Sequence, residues 1–421
     1  MRGLAAENPG LTVAAASVTF PPRFPGFTPG SDVTVHDVTL RLLLLLFFPT
    51  PGIIRGVTPA LFRNAVVVAF RYSPEGVDAS SPNPPPAAPS GTNPKDTTVS
   101  EAIELLKANL PAHPPVEAIK PLEEDYTGLR ILAVHAHPDD ESSKGAGTAS
   151  AYIARGARFM VATMTGGERG DILNEEIANS PRAHRDLPGL RRAEMAAARD
   201  IMGIEHRWIG FFDSGLPEGD PMPPLPFGSF GTMPLDRAAA PLVRLVREYR
   251  PHIIISYDEI GGYPHPDHIM SHKVAVEAFE KAGDPEAYVG EGEPWTPQKL
   301  YYDRAFNPER TLALHEHLLA THGESLLSGW VENIAHRATS GDAPRHETTT
   351  RILVPEHFEQ RDRALRAHAS QVDPNGVFFA VPNEQLRDLW PWEDYTLAAS
   401  RTKVELPESS LAEGLSDYYV I

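Results

Sequence analysis

Residues 129–141 read LRILAVHAHPDDE. Leu129–His135 is an apolar run of strand length, and it passes without a spacer into His137, Asp139, Asp140 and Glu141. A continuous apolar strand belongs inside a sheet covered on both faces, as parallel sheets are. The chain beyond it repeats the theme. Arg158–Thr165 (RFMVATMT), Arg207–Phe212 and His252–Tyr257 (HIIISY) read as further strands, with Leu300–Phe306 and Thr350–Val354 as additional ones. Helical patterns fall between them: Ser143–Arg155, Leu190–Met202 closed by Gly203, Leu235–Tyr249 stopped before Pro251, Asp267–Ala282 closed by Gly283, and Glu356–Ala369. This alternation predicts an α/β fold, a Rossmann-like, mostly parallel sheet with helices on both faces. In such sheets the chemistry sits beyond the carboxyl ends of the strands.

Upstream the chain changes character. Prolines 82, 84, 85, 86, 89 and 94 crowd a Ser/Ala/Gly-rich stretch from Ser80 to Thr98, which reads as a linker. Val66–Tyr72 has strand character and Val99–Asn109 reads as a short amphipathic helix. The expected division is a poorly ordered N-terminal extension over 1–124 and one catalytic domain over 125–421. The apolar run Leu42–Phe48 is shorter than the ~20 residues a membrane span requires, and no basic n-region precedes it. A cytoplasmic location is expected. The net charge of −18 makes nucleic acid and anionic membranes poor partners. With no cysteine in the chain, a transition metal must be held by His, Asp or Glu. The sequence carries no signal for an oligomeric state.

Two loops concentrate those ligand types. His137 and Asp140 lie three apart on a loop stiffened by Pro138, directly after the first strand. Tyr263-Pro264-His265-Pro266-Asp267-His268 follows the fourth, so both emerge on one sheet edge. His137, Asp140 and His268 would supply two nitrogens and an oxygen, leaving a position for water, as catalytic zinc sites do. Ferrous iron fits the same set. Asp139, flanked by ligands, is the candidate general base and later acid. His265 and Tyr263 are candidate oxyanion donors. His135 reads as a buried, hydrogen-bonded histidine and Asp267 as a helix cap or a carboxylate that orients a metal-binding side chain. After the second strand, Thr165-Gly166-Gly167-Glu168-Arg169-Gly170-Asp171 lacks the Lys-Ser/Thr of a phosphate loop. Glu168, Arg169 and Asp171, with Asp213 after the third strand, are expected to contact a hydroxylated substrate.

HPDDE at 137–141 together with HPDH at 265–268 resembles the zinc-dependent de-N-acetylase superfamily, which acts on N-acylated glucosamine units. The segments HAHPDDESSKG (135–145), TGGERGDILN (165–174), DSGLPEGDPMPP (213–224) and GGYPHPDH (261–268) are most similar to its amidase branch. The resemblance runs from about Leu129 to about residue 410. It implies zinc on His137, Asp140 and His268, Asp139 as base, and His265 with Tyr263 at the oxyanion. It also implies the substrate, a small-molecule thiol–sugar conjugate in which an N-acetylcysteinyl group is amide-linked to glucosaminyl-inositol. Lys144 matches the amidase branch and is expected near the cysteinyl end. Met164 and Ser271 stand where cysteine is expected in relatives. The competing expectations are the sister deacetylase, which frees glucosaminyl-inositol from its plain N-acetyl form, and a silent sugar-binding protein that keeps the fold.

Overall fold

β1 (Arg130–His135), β2 (Arg158–Thr165), β3 (Glu205–Phe211), β4 (Ile253–Ser256), β5 (Lys299–Asp303), β6 (Thr350–Leu353) and β7 (Trp392–Ser400) form one seven-stranded sheet in the order β3-β2-β1-β4-β5-β7-β6. The structure, a computed structural model, describes residues 17–18, 33–34, 99–110, 114–219, 221–340 and 346–419. The first five strands are all parallel, and β7 runs antiparallel between β5 and β6. Chain order climbs from β1 to β3 on one side, then jumps back across β1 to β4. The strand order therefore reverses between β1 and β4, and their carboxyl ends flank the crevice where such sheets bind ligands.

β1 explains why the sheet is covered twice. Ile131 and Ala133 point to one face, where they join Ala149 and Tyr152 of α3 (Ala146–Ile153) and Met195, Ala198 and Met202 of α4 (Leu187–Met202). Leu132 and Val134 point to the other, against Leu242 and Val246 of α5 (Leu235–Tyr249) and Val274 and Ala278 of α6 (Pro266–Lys281). The period of two in a strand assigns each residue its core.

Local signals set the helix limits. The Asp186 carboxylate accepts from the Gly189 amide to start α4, and Gly203 at φ 76° ends it. The expected helix Ser143–Arg155 is broken in two, α2 (Asp140–Ser143) and α3, because Gly145 adopts φ 91° between them. α6 ends at Lys281, so Gly283 is not its capping residue. β7, α7 (Pro308–His322) and α8 (Ser328–Ser340) have no counterpart in the sequence reading. α9 (Phe358–Ala367) follows a 3-10 turn at Pro355–His357.

The expected helix Val99–Asn109 is present as α1. Its Leu106 packs on Ile334 and Ala335 of α8, and Ile119, Leu122 and Tyr126 join the core on the α3 face of the sheet. By contacts the chain divides into 1–86 and 87–421, so packing with the sheet begins before residue 125. In the first unit Ser17–Val18 pairs with Val33–Thr34. The apolar run Leu42–Phe48, the strand expected at Val66–Tyr72 and the linker Ser80–Thr98 lie outside the described residues. Among the described residues no helix is long and apolar enough to cross a membrane.

Candidate metal centre and catalytic site

The two loops meet as their strands predict. Tyr257, the first residue after β4, donates its hydroxyl to Asp140 at 2.7 Å and accepts from the Ala136 amide at 2.8 Å. One buried phenol thus ties the end of β4 to the loop after β1. The His137 amide donates to Asp140 Oδ2 at 2.9 Å, closing the tight turn that Pro138 imposes.

His137, Asp140 and His268 are all buried and offer ligand atoms within 4.8 Å of one another. His268 Nδ1 donates to the Gly261 carbonyl at 2.9 Å, which leaves the Nε2 lone pair facing Asp140 Oδ2 at 3.6 Å. That nitrogen is buried and has no hydrogen-bond partner among the described residues. Burial holds the pKa of His268 well below the usual imidazole value, so no proton fills the gap between the two acceptors. Across the site His137 Nε2 faces Asp267 at 3.3 Å, and its Nδ1 lies 3.6 Å from Asp140 Oδ2. Burial opposes a charge on His137, but hydrogen bonds to Asp213 and Asp267 and the charge of Asp140 raise its pKa to about 10. Positive charge is favoured here, and the His268 Nε2 lone pair, the Asp140 carboxylate and a His137 nitrogen whose proton a cation would replace converge on one point. These residues fit a divalent cation.

A second cluster, His137, His265 and Asp267, is also close-set. Most of its donor atoms are already used. Asp267 accepts from the Ser214 amide at 2.9 Å and from the Ser214 hydroxyl, and His265 Nδ1 accepts from the Asp267 amide at 3.1 Å. Asp267 is thus the carboxylate behind His137, orienting the ligand, while His265 caps α6. With Nδ1 accepting, neutral His265 carries its proton on Nε2. Burial and the neighbouring His137 lower its pKa to about 4. Tyr263 packs edge-on against His268, ring centroids 4.6 Å apart.

Asp139 has φ 129°, an unusual backbone for a residue with a side chain. Two interactions hold it. Its amide donates to Glu141 Oε2 at 3.0 Å, and its Oδ2 accepts from Arg191 Nη2 at 3.0 Å. Burial raises the Asp139 pKa, with Arg191 opposing. The same guanidinium donates to the carbonyls of Pro138 at 2.7 Å and Gly167 at 2.9 Å, joining the loops after β1 and β2. Glu141 in turn faces His368 Nε2 at 2.6 Å and accepts from the Ser142 hydroxyl at 2.6 Å, wholly buried.

The expected substrate contacts divide. Glu168 is half-buried, Arg169 and Asp171 are exposed, and all three stand on the rim after β2. Asp213 is only 2% exposed, with its oxygens taken by the amides of Arg169 at 2.9 Å and Gly215 at 2.7 Å; it lies 3.7 Å from His137 Nε2. It stands beside His137 and does not face solvent. Lys144 differs similarly. It is 6% exposed, and its ammonium folds back from the residue that follows α2 to pair with Asp140 at the start of that helix. His135 is buried as expected, but its Nδ1 has no hydrogen-bond partner among the described residues. Sequence reasoning missed Arg191, Glu141, Tyr257 and His368. For Glu141 the signal was its place within the first cluster.

The GlcNAc-PI de-N-acetylase profile matches residues 132–279, which contain both loops. The chain is 47% identical over 291 residues to the mycothiol S-conjugate amidase of Streptomyces coelicolor, covering 69% of this chain and 98% of that protein. It is 35% identical over 299 residues to the 1D-myo-inositol 2-acetamido-2-deoxy-alpha-D-glucopyranoside deacetylase of Streptomyces avermitilis, covering 70% and 99%. Among solved structures, the N,N'-diacetylchitobiose deacetylase of Pyrococcus horikoshii aligns over 70% of this chain and 88% of its own, at 15% identity and TM-score 0.43. With two relatives matched along nearly their whole length and the profile spanning both ligand loops, this chain belongs to the GlcNAc-PI de-N-acetylase family of amide hydrolases.

Proposed function

We propose that this chain hydrolyses the amide bond of mycothiol S-conjugates, releasing glucosaminyl-inositol and an N-acetylcysteine S-conjugate. The observation that carries the reading is the 47% identity to an amidase of that name along 98% of its length, against 35% for the deacetylase. The deacetylase activity is the second reading, supported by that same 35% match over 99% of the relative.

In this reading His137, Asp140 and His268 hold zinc, and ferrous iron suits the same donors. The cation, when bound, acidifies water and polarises the amide carbonyl. Asp139 takes the proton of the attacking water. Its raised pKa suits that task and the later return of the proton to the leaving amine. Arg191 fixes the carboxylate's direction and keeps it from turning toward Asp140. The oxygen of the tetrahedral intermediate gathers negative charge beside His265, whose Nε2–H and the Tyr263 hydroxyl are the donors assigned to it. We assign Glu168, Arg169 and Asp171 to the sugar and inositol hydroxyls. Asp213 and Lys144 act on the ligand residues, through His137 and Asp140.

Steady-state hydrolysis of a bimane conjugate of mycothiol, compared with the plain N-acetyl glucosaminyl-inositol, tests the reading. The expected specificity constant is about tenfold or more in favour of the conjugate. A preference of that size for the N-acetyl sugar would assign the chain to the deacetylase reaction.

A further inference from the structure

We propose that a row of aromatic rings, Tyr263–Phe306–Trp330–Phe378, is the wall that binds the thioether substituent of the conjugate and selects flat, apolar substituents. The inference rests on the conjugate reading of the site and adds where, and by what chemistry, the variable half of the substrate is held.

The four rings contact one another in series, each edge to face. Their centroids are 6.0 Å apart at 83°, 5.3 Å at 80° and 5.7 Å at 76°. The row begins beside the ligand His268, on which Tyr263 packs, and ends at Phe378, 38% exposed. Phe306 and Trp330 between them are half-buried. Tyr263, Phe306 and Trp330 line a cavity of about 820 Å³, its open mouth included, together with Gly262, Asn333, Ile334 and Arg337. The same two central rings border a second opening that reaches Ser143 and Gly145, next to the metal loop. Rings that served only as core would be closed over. These face two openings, one bordered by Tyr263 where it packs on His268 and one by Ser143, where Arg304, Arg310 and Arg361 also stand.

Topology says which half of the substrate belongs there. Phe306 follows β5 and Trp330 lies on α8, to one side of the β1–β4 crevice. Glu168 and Arg169 follow β2, on the other side of β1. An amide centred on His137, Asp140 and His268 must send its two halves in opposite directions. The hydroxyl-rich half finds a carboxylate and a guanidinium on the β2 side. The half that carries the captured electrophile finds stacked aromatic faces, which bind planar apolar groups by area and edge-to-face contact. α1 braces the wall from behind, since Leu106 packs on Ile334 and Ala335 of the helix that carries Trp330.

The test compares two conjugates, S-bimane and S-methyl, in wild-type, Trp330→Leu and Phe378→Ala. The readout is the ratio of their specificity constants. Trp330→Leu is expected to lower the bimane-to-methyl ratio about tenfold, and Phe378→Ala, at the solvent end, about threefold. Phe378 is exposed enough that its variant should fold even if Trp330→Leu does not. A ratio within about twofold of wild type in Phe378→Ala and in any folded Trp330→Leu, with both conjugates still cleaved, overturns the wall and leaves the conjugate reading standing. Wild-type enzyme that cleaves the N-acetyl sugar and neither conjugate overturns the conjugate reading, and the wall with it.

Discussion

Asp139 is the residue whose conformation has to be maintained against its own preference. A φ of 129° costs an aspartate on the order of 1–3 kcal/mol. The Arg191 salt bridge at 3.0 Å holds the carboxylate and the Glu141 hydrogen bond at 3.0 Å holds the backbone amide, and together they offset that cost. Asp139→Asn keeps the shape and removes the base. Elemental analysis should find the metal retained, while turnover falls on the order of 10²–10⁴-fold. Near-normal turnover would remove Asp139 from the role. The candidate metal ligands were legible in the sequence because His137 and Asp140 lie three residues apart in one loop and His268 closes the His/Asp-rich loop after β4. Arg191 was not, since it reaches Asp139 across 52 residues. Nor was the orientation of Lys144 and Asp213, because sequence places a side chain on a rim without saying whether it turns outward or toward a ligand.

At the scale of elements, the segment after α9 fastens the site from behind. His368 pairs with Glu141, the Ser370 carbonyl accepts from the Leu173 amide at 2.9 Å, and the Gln371 side chain donates to the Asp171 carbonyl at 3.1 Å. One short stretch thus holds both the metal loop and the glycine-rich loop. Glu194 of α4 holds that stretch in turn, accepting from the Ser370 amide at 2.8 Å and hydroxyl at 2.7 Å. His368→Ala leaves the buried Glu141 charge without its partner, an effect of about 3–5 kcal/mol on stability. It also removes the side chain that holds Glu141, the acceptor of the Asp139 amide. In folded protein kcat should drop about tenfold or more while KM moves less than about threefold and the metal stays bound. A loss confined to thermal stability, with kcat unchanged, would make the pair purely structural. β3, at the sheet edge with no fully buried residue, showed only in its apolar end, whereas β1, β2 and β4 were visible as apolar runs because these parallel strands are buried on both faces. β7 (WEDYTLAAS) was not, since it mixes Glu393 and Asp394 into the strand and takes its place from antiparallel pairing with β5 and β6.

For the whole molecule, composition marked where the proline-rich stretch lies but not where packing begins. The turn from biased to ordinary sequence near residue 125 suggested a boundary there, yet Leu106, Ile119 and Leu122 are buried with the sheet and α8. The Leu106 contact with Ile334 and Ala335 joins residues more than 200 apart and leaves no local pattern. A chain starting at Ala87 is expected to match the full chain in activity and thermal midpoint. One starting at Pro121 loses α1 and Ile119, which exposes buried aliphatic surface at roughly 1.5–3 kcal/mol for each such side chain. Its midpoint should fall by several degrees. Equal midpoints for the two would show that α1 contributes nothing to the fold.

All of these proposals depend on a cation between His137, Asp140 and His268, and its removal tests them most directly. The full chain is stripped with a chelator, and hydrolysis of the bimane conjugate is followed as zinc is added back. Activity should vanish on stripping and return along a line that breaks at about one equivalent per chain. The His268→Ala chain should show no such break. Undiminished hydrolysis by metal-free protein would contradict the account.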